Sequence, residues 1–258
     1  MAQATQGRTQ ESEPPTPSSL DAGLREYANA ERAAKEKQYL RSDLIHYGVD
    51  VPTIHRLATR AGQRLARPRL LEVVISLWDE PADAQVFERR FLAADLLSDR
   101  AELLTPDDAP LVERLCRQAR TWAIIDTLAP RVVGPVATRF PDEFAPLLDT
   151  WATDPDFWMR RSALLSHLIP LRDGRGDWQR FTRYAESLLD DREFFVAKAI
   201  GWVLRDTGRR RPEMVLEWVE PRFPRMTAVT AREAIKPFAP EVQERLRQAR
   251  GGRRPVVR

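Results

Sequence analysis

The chain has a single cysteine, Cys116, among 258 residues, so no disulfide framework can form and a reducing, cytoplasmic setting is expected. Histidine is almost as scarce. His46, His55 and His167 are scattered and match no metal-ligand spacing, so no metal held by protein ligands is expected, although carboxylate sites stay open. No cofactor is indicated. No run of about 18 apolar residues is present, which argues against a membrane span, and the opening MAQATQGRTQESEPPTPSS lacks the apolar stretch of a signal peptide. Glycine is low, at 11 residues, and no stretch alternates β-branched and aromatic residues with period two, so strands are not required anywhere.

What is present favours helix. Hydrophobic residues make up 43% and charged residues 31% of the chain, enough for a sizeable core under a charged surface. The excess of positive charge is only +3, and nearly all of the positive charge is arginine. Arginine forks suit phosphate. A GC-rich coding bias toward Arg, Ala and Pro explains the composition equally well.

Residues 1–19 are rich in Gln, Ser, Thr and Pro and are expected to be disordered; residues 251–258, GGRRPVVR, form a short basic tail. The stretch between, 20–250, reads as one domain of successive helices near 20–46, 52–66, 68–78, 82–98, 107–119, 121–132, 142–152, 155–169, 176–189, 192–207, 212–219, 229–237 and 241–250. Helices recurring in pairs every 35–45 residues or so predict an all-α, HEAT-like α-solenoid whose concave face forms a groove. An arginine-lined groove would suit duplex DNA, and an apolar one a peptide.

Three segments set tryptophan beside charge. In TWAIIDTLAP, Trp122 and Asp126 stand four apart and share a helix face. In DPDFWMRRSALL, Trp158 and Arg161 stand three apart. In EFFVAKAIGWVLRDTG, Lys198, Trp202 and Arg205 form one stripe, and Gly201 inside the helix costs about 1 kcal/mol against alanine, which a close approach by a neighbour or ligand would explain. Each segment taken alone also reads as a core tryptophan beside a solvated charge. Tyr39, on the helix before Gly48, reads equally well as a half-buried aromatic. Cys116 lies on an apolar stripe with Leu111 and Leu115 and reads as a buried thiol.

Together and in this order, YLRSDLIHYGVDVP, the SLWDEP turn around Trp78, the Trp122/Asp126 pair, WMRRSALL, EFFVAKAIGWVLRDTG and TAREAIKPF resemble the AlkD-like DNA alkylation repair family over about residues 30–240. The resemblance implies a HEAT-like superhelix that wraps duplex DNA containing alkylated purines and hydrolyses the N-glycosidic bond of bases alkylated at N3 or N7. It implies a catalytic set of Asp126, Trp122, Trp202 and Arg161, with Tyr39 near the same cleft. Asp126 would stabilise an oxocarbenium-like transition state and position water. Arg161 would hold a flanking phosphate. Lys198, Arg205, Arg232 and Lys236 are the candidate phosphate contacts. The resemblance also implies that the lesion can stay stacked instead of being flipped; Lys198 leaves lyase chemistry open. Asp50, acidic in the GVDVP loop, departs from what a phosphate-facing loop would favour. A monomer is expected. The alternatives are a non-catalytic protein that binds DNA structures on the same scaffold and, further off, a peptide-binding α-solenoid.

Overall fold

A computed structural model describes residues 13–251. The expected N-terminal and C-terminal tails fall largely outside these residues. Helix α1, Pro17–Arg25, begins inside the segment read as a tail, where Thr16 caps it by accepting from the Ser19 N–H at 3.1 Å. The described residues are helical throughout, apart from turns and one isolated bridge between Ile45 and Val86. No helix among them is long and apolar enough to cross a membrane.

The single helix expected over 20–46 is two, α1 and α2 (Ala30–Leu40), because Asn29 starts a new helix. Its side chain accepts from the Arg32 N–H at 2.9 Å, while its own N–H is donated to the Tyr47 carbonyl at 2.8 Å. Propensity alone carries an Ala/Glu/Lys-rich stretch through this break, and a tertiary contact stops it. After α2, Arg41 turns left-handed at φ 49° and the chain runs through a loop to α3, Val51–Gly62. Asp50 is the cap of α3, accepting from the Thr53 N–H and hydroxyl, both at 2.9 Å. Its acidity therefore serves helix initiation.

The rest of the array runs α4 (Arg67–Asp79), α5 (Phe87–Asp99), α6 (Ala109–Gln118), α7 (Trp122–Leu128), α8 (Gly134–Arg139), α9 (Pro141–Trp151), α10 (Phe157–Leu165), α11 (Leu168–Arg172), α12 (Trp178–Ser187), α13 (Phe194–Gly208), α14 (Pro212–Val219), α15 (Ala228–Ala234) and α16 (Pro240–Gly251). A π-helical turn, Ala129–Val133, joins α7 to α8. In one row α3, α5, α7, α10, α13 and α15 pack successively, each on the next. The second row backs the first, with α4 on α5, α6 on α7 and α10, α9 and α12 on α10, and α11 and α14 on α13.

The repeat period is written in a series of arginines that reach back one repeat. Arg100 donates to the carbonyls of Gly62 and Leu65, the latter at 2.9 Å. Arg139 donates to the carbonyls of Ala101 and Leu104 at 3.0 and 2.6 Å. In both pairs the acceptors lie 38 and 35 residues upstream. Each arginine satisfies backbone acceptors left over at the end of the preceding repeat and fixes the stacking of one repeat on the next. Arg211 reaches the Leu171 carbonyl 40 residues back in a similar way. The helix rhythm in the sequence has the same spacing.

Candidate active site

The site is assembled where α7, α10 and α13, three successive helices of the first row, meet the end of α2. Thr121 caps α7 by accepting from the Ala123 N–H at 3.3 Å, and the first turn then presents Trp122, with Asp126 one turn further on. On α10, capped by Asp156, Trp158 and Arg161 lie on neighbouring turns but at different depths. Trp158 is half-buried, while the Arg161 side chain is 0% exposed.

Arg161 does not face solvent, which corrects the expectation that it holds a flanking phosphate. Its Nε and Nη2 both donate to Asp126 Oδ1, at 2.9 and 2.6 Å, and its Nη1 donates to the Phe195 carbonyl on α13. The i, i+3 spacing with Trp158 gave the face of α10 but not how deep the next helix would bury it. Arg161 is a buried strut that aims a carboxylate. Both of its bonds to Asp126 use Oδ1, and Oδ2 takes no donor among the described residues, in a side chain that stays 16% exposed. Burial pushes the Asp126 carboxyl above its ordinary range, and the charges of Arg161 and then Lys198 oppose that rise. Protonating Asp126 would leave the buried guanidinium without a counter-charge, which opposes the effect of burial.

Trp122, one turn before Asp126, lines a cleft of about 470 Å³ together with Tyr39, Leu40, Arg41, Arg120, Thr121, Trp158, Phe194 and Phe195; Asp126 is not itself one of its wall residues. Tyr39 is 73% exposed and meets Trp122 edge to face, with centroids 5.8 Å apart at 86°. Lys198 Nζ lies 5.9 Å from the centroids of both Trp122 and Phe194, a position in which an aromatic face attracts a cation. Two cations stand on the rim. Arg41 and Arg120 both have left-handed backbones, at φ 49° and 57°, an uncommon conformation for residues other than glycine. Arg120 also donates to Asp43 at 2.8 Å, tying the loop after α2 to the start of α7.

Tyr39, Trp122, Asp126, Arg161 and Lys198 are thus brought together. Trp202, one turn beyond Lys198 on α13, is half-buried against the core and donates its indole N–H to Asp206 at 3.2 Å; the cleft walls are formed by other residues. Arg205 is not a free cation. It pairs with Asp206 at 3.2 Å and with Glu233. Lys236 pairs with Glu233 at 2.7 Å and Arg232 lies 3.7 Å from it. Arg232 and Lys236 line a separate, open cleft of about 670 Å³ together with Arg247 and Arg250. Gly201 is explained by a helix neighbour and not by a ligand: a Cβ there would sit 2.7 Å from Glu233 Cβ on α15.

The sequence reading missed Phe194, Arg41 and Arg120 as cleft residues. A doublet of phenylalanines opening α13 was a usable signal, since α13 buries only one side of its first turn and Phe194 is left 50% exposed. The arginines carried no signal, because their backbone conformation comes from tertiary packing. Cys116 is fully buried, and burial pushes its thiol up to about 12, so it is an inert core residue.

No curated protein sequence matches the chain. A solved structure described as a predicted DNA alkylation repair enzyme from Enterococcus faecalis superposes with a TM-score of 0.71 at 20% identity, covering 83% of this chain and 97% of that one. It shows the fold, a HEAT-like α-solenoid. The DNA alkylation repair enzyme family matches residues 20–238, and the chain belongs to that family.

Proposed function

We propose that this repair enzyme is a DNA glycosylase that releases purines alkylated at N3 or N7 from duplex DNA. The observation that carries the reading is the Asp126 carboxylate. A fully buried arginine locks one of its oxygens, and the other takes no donor among the described residues, one helical turn beyond Trp122 of the aromatic cleft.

The chemistry suits that arrangement. A purine alkylated at N3 or N7 is already cationic, so its glycosidic bond is weak and needs no acid at the base. The bond breaks through an oxocarbenium-like state with positive charge on the deoxyribose. Asp126 Oδ2 supplies a fixed negative charge beside that sugar and orients the attacking water, and Arg161 keeps the carboxylate from reorienting as charge develops. Trp122 offers a π-face to the cationic nucleotide, worth about 0.5–2 kcal/mol. Lys198 already lies near that ring, as expected for a face that attracts cations. Arg41 and Arg120 on the rim, with Lys198, hold the flanking phosphates. Trp202 supports α13 beneath Lys198. Selectivity follows from the lability of the cationic nucleotide, and the lesion is handled without being gripped in a deep pocket.

The test is incubation of methylated duplex DNA with the protein, followed by separation of the released bases. The reading expects free 3-methyladenine or 7-methylguanine to accumulate in proportion to enzyme and time. Tight binding to the duplex with no release above the spontaneous rate would instead establish a DNA-structure-binding protein on this scaffold.

A further inference from the structure

Glu36 on α2, His46 in the loop after α2 and Glu88 on α5 converge. Each offers one ligand atom, and the three atoms lie within 4.8 Å of one another. The His46 side chain is 1% exposed, yet among the described residues neither of its ring nitrogens has a hydrogen-bond partner, and Glu36 Oε2 is buried without one as well. A neutral imidazole carries one donor and one acceptor, and buried groups of this kind are normally paired. His46 Nδ1 stands 3.8 Å from Glu36 Oε2. That gap is too long for a hydrogen bond. It is close to the separation of about 3.4 Å between two ligands of one tetrahedral ion with bonds of about 2.0–2.2 Å.

The surroundings are built to hold the three in place. Phe87 stacks on the imidazole at 4.7 Å and 12°, which fixes the ring plane. Glu88 is held by three backbone donors: Tyr47 N–H to Oε2 at 2.9 Å, and Gly48 and Val49 N–H to Oε1 at 2.6 and 3.3 Å. These are the outer bonds that orient a ligating carboxylate, and Oε2, which accepts only one of them, keeps a lone pair. Gly48, at φ +79°, lets the loop pack against the start of α2, where a Cβ would collide with the Asn29 carbonyl.

We propose that Glu36, His46 and Glu88 bind one divalent transition-metal ion of the zinc type. One imidazole and two carboxylates form a nitrogen–oxygen donor set without thiolate, which suits zinc, cobalt or manganese over soft ions, and the two carboxylates balance the dication. Water completes the coordination. The ion ties α2, its following loop and α5 together, and the last turn of α2 carries Tyr39, with Arg41 just after it, on one wall of the cleft. Its role is structural and separate from Asp126.

The test uses the full chain, stripped with chelator and dialysed against micromolar zinc chloride, then analysed for bound metal and for thermal unfolding. Cobalt(II) substitution gives a second readout through its visible d–d absorption. One ion per chain, a raised melting temperature on zinc addition and a cobalt band are expected. Glu36→Gln, on the half-buried surface of α2, and His46→Gln are each expected to weaken zinc binding at least tenfold. A wild-type chain that retains no zinc and shows no cobalt band overturns the proposal. Zinc binding by both variants with wild-type affinity would also overturn it, because the ion would then lie elsewhere.

Discussion

Two carboxylates packed against helix α13 use the same ingredients to opposite ends. Asp126 and Glu233 are both nearly enclosed, and both are met by an arginine and a lysine. At Glu233, burial pushes the carboxyl up, but Lys236 and Arg205 outweigh it and hold the group below its ordinary range. Arg205 and Lys236 occupy its oxygens, Arg232 stands nearby, and its Cβ lies where Gly201 has no side chain. At Asp126, burial prevails and the carboxyl is raised. Arg161 takes one oxygen only, and Lys198 rests over Trp122 without a hydrogen bond to the carboxylate. The saturated carboxylate is a strut between helices. The half-satisfied one, one turn beyond the cleft residue Trp122, retains the capacity to act.

Breaking the Asp126–Arg161 pair is expected to have the largest structural effect. Arg161→Met keeps much of the shape but leaves a buried carboxylate unpaired, costing about 3–5 kcal/mol. In a chain of this size that lowers the melting temperature by roughly 10 °C, measurable by calorimetry. The same variant sharpens the comparison in pH. Asp126 must be ionised to act, so excision falls as pH drops through its raised pKa. Removing the nearest positive charge raises that pKa further, so the acid limb of the rate profile should move to higher pH. An unmoved limb would show that Arg161 does not tune Asp126.

An intermediate effect is expected on the strut side. Gly201→Ala places a methyl 2.7 Å from Glu233 Cβ and 3.2 Å from the Thr230 carbonyl. Overpacking of this kind costs about 1–3 kcal/mol, partly offset by about 1 kcal/mol of helix propensity. A small fall in melting temperature with unchanged excision per folded molecule is expected. A large loss of excision would mean that α15 contributes to the chemistry.

The smallest effect separates the cations. Lys198→Gln should reduce the salt dependence of duplex binding by about one unit, as one phosphate contact is lost. Arg205→Gln should change it little, since Arg205 is committed to Asp206 and Glu233. Equal slopes for the two variants would erase the distinction between free and committed cations.

The sequence reaches some of this and not the rest, for physical reasons. Helix periodicity placed Trp122 and Asp126 on one face, and the recurrence of helix pairs matches the 35- and 38-residue reach of Arg100 and Arg139. Periodicity reports direction around a helix but not depth, so Arg161 read as a phosphate contact when α7 and α13 in fact enclose it. Partners 28 residues apart turned Arg205 from a DNA contact into a strut. The α1–α2 break depends on a backbone bond from Asn29 to Tyr47 that no local pattern announces. The Glu36, His46 and Glu88 cluster spans 52 residues and matches no ligand spacing.

The most direct test of the central claim is single-turnover excision of a poorly labile N7-alkylpurine from a duplex, comparing wild type with Asp126→Asn at matched occupancy. The carboxamide retains an oxygen to accept from Arg161 but carries no charge. The account predicts duplex affinity within about twofold of wild type and excision slower by on the order of 10²-fold or more. An Asp126→Asn protein that excises at the wild-type rate would contradict it.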